Sequence, residues 1–177
     1  MTHYHWTNTF SALFNRAVTK YQQGERGAEH FFTAADKEFL AAIGHTAQEL
    51  YDFAEDAATG GEPDAGTALT VAAVRRDYFL VAQHGRFTGR AQPTATLPAK
   101  TAAVDGIEWL PRLIEKAKRK LAGELAADLM FGCGGDRAFL RQFDIHPADF
   151  LRHVWAADGD DRKIIDWVKG NLKSQNS

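Results

Sequence analysis

The chain repeats itself at a spacing of 100 residues, and this repeat constrains its fold more than any other feature of the sequence. The stretch DKEFLAAIGHTAQELYDF, which begins at Asp36, aligns without a gap on DRAFLRQFDIHPADFLRH, which begins at Asp136. Upstream, the helical pattern of IEWLPRLIEKAKRKLAG reappears 100 residues earlier in FSALFNRAVTKY. We interpret the chain as an internal duplication whose two halves have diverged in sequence but keep the same order of helices.

The first helix of each half presents its apolar residues at matching positions. They recur every three or four residues, which is the spacing of a helix that packs one face into a core. Pro111 lies in the first turn of the second of these helices, where a missing backbone N–H is tolerated. The apolar positions are Phe10, Leu13, Phe14, Ala17 and Tyr21 in the first half and Leu110, Leu113, Ile114, Ala117 and Leu121 in the second.

Helix-start signals also recur at matching places. Two helices of the first half begin with a hydroxyl residue followed three positions later by an acid, which is the spacing of a capping box. In the second half, Cys133 stands where the first half has a threonine, and His146 precedes a proline at the first helical position. The two capping boxes are Thr33 with Asp36 and Thr46 with Glu49.

These patterns predict an all-α fold of two related four-helix repeats packed together, because similar apolar faces often bury each other. The expected boundaries are a first repeat over residues 1–88, a linker over 89–106 and a second repeat over 107–177. The linker is rich in proline, alanine, threonine and glycine. The segment DYFLVAQ has the composition of a strand, but no partner strand is evident.

Composition narrows the class of protein. A chain of 177 residues with 45% hydrophobic and 25% charged residues is typical of a soluble globular protein. The net charge of −2 gives no strong signal for nucleic acid. One cysteine excludes an internal disulfide framework and fits a reducing compartment. The start MTHYHWTNTF lacks the pattern of a signal peptide, and no apolar run is long enough to span a membrane. We therefore expect a cytoplasmic protein.

The second half resembles a family of bacterial helical domains of unknown function. The resemblance rests on LPRLIEKAKRKLAG, on the cysteine of FGCGGDRAFL before a D-x-x-F-L helix, and on the terminal IIDWV. It covers roughly residues 97–169. The first half is similar to a degenerate copy, with Thr33 in place of the cysteine and two alanines in place of Gly134 and Gly135. The resemblance implies a small soluble helical protein and no particular activity.

Cys133 is the candidate for chemistry. At a helix N-terminus a thiol faces unpaired backbone N–H groups and the positive end of the helix dipole, which favours the nucleophilic thiolate. The adjacent Gly134 and Gly135 would let another molecule approach the backbone, and Asp136 could assist. The alternative interpretation is a buried cysteine in a glycine turn, with Asp136 as a cap residue. The turn is not a phosphate-binding loop, because it lacks the Gly-Lys-Ser/Thr ending.

Basic residues suggest a second candidate surface. Four cations recur at helical spacing on the first helix of the second half, and two of these positions are also basic in the first half. Such stripes could bind an anionic partner; alternatively, they form a solvated helix face. The residues are Arg112, Lys116, Arg119 and Lys120, matched in the first half by Arg16 and Lys20.

Other chemistry has little support in the sequence. The seven histidines show no recognised ligand spacing, so we expect neither metal nor cofactor. His146 is explained as a cap residue before its proline, and is kept as a candidate ligand contact. Trp109, Trp155 and Trp167 are expected in the core; exposure of Trp109 or Trp155 would instead suggest a binding anchor.

These observations favour a non-enzymatic binding or regulatory module for an anionic or protein partner. The alternative is a small enzyme or redox sensor that uses Cys133. A third interpretation is a structural protein that oligomerises through an apolar face.

Overall fold

The computed structural model describes the backbone of residues 3–175 and the side chains of residues 3–171. The all-α prediction is confirmed, because these residues form nine α-helices and a single two-stranded ribbon. The chain divides between Phe87 and Thr88 into two compact units. None of the helices described is long and apolar enough to cross a membrane.

The first unit is built around its first long helix. This helix packs against the fourth and fifth helices, and the short second helix packs against the fourth. The segment DYFLVAQ lies mostly within the fifth helix, so its strand-like composition is overridden by helical packing. The elements are α1 (Trp6–Gln22), α2 (Ala28–Phe31), α3 (Ala34–Ala42), α4 (Ala47–Gly60) and α5 (Ala65–Val81).

Local sequence signals account for where helices of the first unit begin. The Oγ1 atoms of Thr33 and Thr46 accept hydrogen bonds from the backbone N–H groups of Asp36 and Glu49, both at 3.2 Å. Each acid bonds back to the N–H of its threonine at 2.9 Å. Both predicted capping boxes are therefore confirmed.

The second unit has a helix at its centre as well. That helix packs against the ribbon and against the last two helices, and its five predicted apolar positions are no more than 4% exposed. The elements are β1 (Ala103–Val104), β2 (Ile107–Glu108), α6 (Leu110–Ala122), α7 (Gly134–Arg141), α8 (Pro147–Ala156) and α9 (Asp161–Gln175).

The segment 89–106, for which the composition predicts a linker, is an ordered part of the second unit. The Arg112 and Arg119 guanidinium groups donate to the carbonyl oxygens of Pro98 and Pro93, at 2.8 and 3.0 Å. The segment ends in the antiparallel ribbon, whose turn is Asp105–Gly106, both with positive φ. An Asp-Gly pair between apolar residues is a strong hairpin signal that the composition of the segment obscured.

Matching helices of the two units begin 100 residues apart. α3 begins at Ala34 and α7 at Gly134, while α4 begins at Ala47 and α8 at Pro147. The packing also corresponds between the units: α1 contacts α4 in the first unit, and α6 contacts α8 in the second. The spacing in the sequence thus corresponds to equivalent places in the two units.

Candidate functional site

The turn that starts α7 carries the thiol. Cys133 is the N-cap residue of α7, in extended conformation with φ −65° and ψ 170°, and is partly exposed. Its side chain makes no capping hydrogen bond, unlike that of Thr33 at the matching position of the first unit. The first turn of α7 therefore begins without the side-chain cap that its counterpart has.

A buried lysine reaches the thiol from α6. The Lys116 Nζ lies 3.5 Å from the Cys133 Sγ and forms an ion pair with the Asp136 Oδ2. Lys116 is 3% exposed and Asp136 is fully buried. An ammonium group has three protons to donate, so it can serve the carboxylate and the sulfur together.

The carboxylate of Asp136 is held from three sides. Besides Lys116, it accepts a hydrogen bond from the Trp109 Nε1 at 3.0 Å and one from the backbone N–H of Gly132 at 2.9 Å. A buried charge with a charged partner and two further donors is well satisfied. Asp136 therefore fixes the ammonium beside the sulfur, rather than only capping α7 as the sequence suggested.

Trp109 connects this network to the ribbon. It precedes α6 with φ +70°, a conformation that is uncommon for any residue other than glycine. A Cβ at Gly135 would lie 3.0 Å from the Trp109 ring, which is tighter than an ordinary van der Waals contact. Gly135 thus provides the space that the ring occupies, and the ring is partly exposed rather than in the core.

The first unit has an ion pair at the matching positions, in a different environment. The Arg16 Nη2 lies 2.5 Å from the Asp36 Oδ2, with the two side chains 47% and 16% exposed. Burial raises the pKa of Asp36, but hydrogen bonds from Thr33 and Arg16 outweigh it and hold that pKa below its usual value. The pair recurs in both units, but only the second unit buries it beside a thiol.

The predicted basic stripe is not an open surface. Lys116, Arg119 and Lys120 are no more than 3% exposed, because the turn before α7 and the segment 89–106 cover that face of α6. Arg112 is partly exposed and donates to a backbone carbonyl. Spacing alone could not show this, because a fully enclosed helix and a solvated one can have the same period.

Histidines of α8 have structural roles. The Nδ1 of His146 accepts a hydrogen bond from the backbone N–H of Ala148 at 3.1 Å, which confirms the predicted cap. His153 stacks on Trp167 with 3.5 Å between ring centroids. Burial lowers the pKa of His153, although the nearby Asp149 acts in the opposite direction. Among the described side chains no cluster of three or more ligating residues could hold a metal ion.

A family model matches the part of the chain that holds the network. Residues 95–177 match a family model described as "Domain of unknown function (DUF5069)". The network lies among the residues that match this model. No curated protein and no solved structure matches the chain.

The matched range includes every member of the network. Trp109, Lys116, Cys133 and Asp136 all lie within residues 95–177, and so does the turn of glycines before α7. The motif resemblance over residues 97–169 falls inside the same range. Sequence patterns indicated Cys133 and Lys116 separately and Trp109 only as a binding anchor in the event of exposure, but they did not indicate the link between the thiol and the lysine.

Proposed function

We propose that the DUF5069 domain is a regulatory module that works through the Cys133 thiol, which reacts with oxidants of the peroxide class. The observation that supports this best is the 3.5 Å contact between the Lys116 Nζ and the Cys133 Sγ. Cys133 is also a partly exposed residue, which is consistent with access by a small reagent.

Two positively charged features of the structure lie near the sulfur. The ammonium of Lys116 donates toward it, and the positive end of α7 begins at the same residue. Thiolates, not thiols, are the nucleophiles in cysteine chemistry. Cys133 does not cap α7 and instead faces an ammonium group. Threonine would cap the helix better, so this arrangement favours a reactive role for the thiol.

The proposed step is a two-electron oxidation of the sulfur. The Cys133 thiolate attacks one oxygen of hydrogen peroxide, and the O–O bond breaks. The sulfur keeps that hydroxyl as a sulfenic acid, while the other oxygen leaves as hydroxide and takes a proton from solvent to become water. The sequence holds one cysteine, so reduction back to the thiol requires a thiol supplied by another molecule.

Oxidation would change the partners of Lys116. A neutral sulfenic acid attracts the ammonium less than a thiolate does, which leaves Asp136 as its main partner. Because Asp136 also holds the Trp109 indole, the change at the sulfur can alter the position of that ring. This gives the oxidation state of Cys133 a structural consequence, which a regulatory module needs.

The regulatory role expected from the sequence therefore depends on the thiol and not on the basic stripe. We further propose that the chain arose by duplication and that the first unit is the copy without the site, because Thr33 caps its helix where Cys133 does not. A function based on a reduced thiol fits the cytoplasm.

Alkylation rates test the proposal. We expect iodoacetamide at pH 7 to modify Cys133 about tenfold faster in the folded protein than in the same protein unfolded in guanidinium, where the thiolate fraction is a few per cent. Lys116→Met should remove most of this difference. Lys163→Met is the matched control, because Lys163 is exposed on α9 and should leave the rate unchanged.

A second arm uses hydrogen peroxide and guards against a folding defect in the variant. Lys116→Met leaves the Asp136 carboxylate without its ammonium, so Lys116→Met/Asp136→Asn, which removes both charges, is measured as well. Trapping with dimedone should label Cys133 in wild type far faster than in either variant. A folded wild-type protein that reacts no faster than its unfolded form would rule out the proposal.

A further inference from the structure

An open cavity lies beside the thiol network, between β2 and α7. Its volume is about 440 Å³, which is within the range of sites that hold small molecules. Its lining includes Ile107, Glu108, Trp109, Phe139, Gln142 and Phe143. Cys133 itself does not line the cavity.

The cavity has an aromatic wall that is fixed before any ligand arrives. Phe139 and Phe143 pack together with 4.9 Å between ring centroids. The Trp109 ring is held by its hydrogen bond to Asp136 and fits against Gly135. A wall that is already ordered binds with little loss of side-chain freedom, which favours affinity.

The charge of the cavity is set by Glu108. This carboxylate is exposed, and it forms no ion pair with any described side chain. Neighbouring acids differ in this respect, since Asp105 pairs with Lys169 and Glu115 with Arg119. Glu108 is therefore a carboxylate of the cavity wall that has no ion-pair partner among the described side chains.

The indole ring already attracts a cation. The ammonium of Lys100, which does not line the cavity, lies 5.9 Å from the centre of the Trp109 ring. Such contacts arise because the ring face is negative, and they strengthen when the cation is shielded from water. An aromatic wall with one carboxylate at its rim is suited to a positively charged amine.

The first unit has only part of this wall, because Phe39 matches Phe139 but other positions differ. Thr9, Ala35 and Ala42 stand 100 residues before Trp109, Gly135 and Gln142. The two units therefore differ at side chains that form the cavity, while the helices α3 and α7 start at equivalent positions. This difference is expected if the cavity binds something and the scaffold alone does not.

We propose that this cavity binds a small organic cation, a protonated or quaternary amine with a flat or alkyl apolar body. The apolar body packs on Phe139, Phe143 and Ile107, and the cationic head lies between the Trp109 ring and the Glu108 carboxylate. The Gln142 amide is available to a polar substituent of the ligand.

Three probes that share one body and differ in the charge of the head test the proposal. They are 2-phenylethylammonium, 2-phenylethanol and phenylacetate, titrated into the full chain while the Trp109 indole N–H is followed by ¹H–¹⁵N NMR. We expect the ammonium probe to bind about tenfold more tightly than the alcohol, and phenylacetate more weakly than both.

Two exposed acids provide the matched variants. Glu108→Gln should bring the ammonium probe to the affinity of the alcohol, whereas Asp158→Asn, at an exposed acid that does not line the cavity, should change nothing. The proposal is overturned if phenylacetate binds best, if no probe shifts the Trp109 signal saturably, or if Glu108→Gln leaves the preference for the ammonium probe intact.

Discussion

The buried ion pair of the second unit should contribute far more to stability than its exposed counterpart in the first unit. Asp136→Asn keeps the size of the side chain and an oxygen for the Trp109 N–H, but it removes the carboxylate that pairs with the buried Lys116 ammonium. Breaking a buried pair in this way costs about 3–5 kcal/mol of unfolding free energy. We therefore expect a loss in that range.

The first unit offers a control at the matching position. Asp36→Asn removes the carboxylate that pairs with Arg16, whose side chain is 47% exposed. Screening by solvent limits the value of such a pair, so the expected cost is about 1 kcal/mol, including the weakened capping box. The ratio between the two costs measures the effect of burial on the same arrangement.

Urea unfolding followed by tryptophan fluorescence is the assay. Trp109, Trp155 and Trp167 report on the second unit, while Trp6 is in the first. Adding Lys116→Met to Asp136→Asn removes the stranded charge, so the double variant should recover at least about 1 kcal/mol. The reasoning is refuted if Asp136→Asn costs no more than Asp36→Asn, or if the double variant is less stable than the single one.

Three further outcomes are expected. Gly135→Ala should lower the free energy of unfolding by about 1–3 kcal/mol and shift tryptophan emission, because the new Cβ meets the Trp109 ring. Gly134→Ala is the control: its Cβ meets nothing closer than 3.8 Å, so it should be neutral or mildly stabilising in urea. Because the pKa of His153 is lowered, the folded state binds a proton at this residue less readily than the unfolded state does. The free energy of unfolding, measured across pH, should therefore fall as the pH drops below about 6.5. His153→Phe should flatten that fall. Cys133→Thr should abolish labelling by iodoacetamide and raise stability by about 0.5–1 kcal/mol, since the hydroxyl can cap α7; an unchanged urea midpoint would contradict the capping argument.

The helices could be predicted because their signals are local. The apolar face of α6 and the capping boxes at Thr33 and Thr46 depend on residues within a few positions of one another, and the structure has them as expected. The signal for the hairpin at Asp105–Gly106 was equally local, but the hairpin was not predicted. Its strands are only two residues long, and it begins in a segment with the composition of a linker.

The network around the thiol could not be predicted in the same way. Lys116 and Cys133 are 17 residues apart in the chain, and their contact depends on how the turn before α7 folds back onto α6. Helical spacing placed Lys116 on a basic stripe, but whether a stripe faces water or a carboxylate is decided by tertiary packing. The role of Trp109 in the network could not be read from the sequence, because its positive φ and its hydrogen bond to Asp136 are properties of the folded chain.

The comparison of the two units gives the strongest reason to regard the turn of α7 as a site. Arg16 with Asp36 shows that the ion pair is compatible with a threonine cap, so the pair does not require a cysteine nearby. Gly135 is explained by the ring of Trp109, and the burial of Asp136 by its three donors. None of these contacts requires sulfur at position 133, where a hydroxyl would cap the helix and stabilise it. Because the scaffold can be built without the cysteine, its presence beside the Lys116 ammonium is best explained by the chemistry of the thiol.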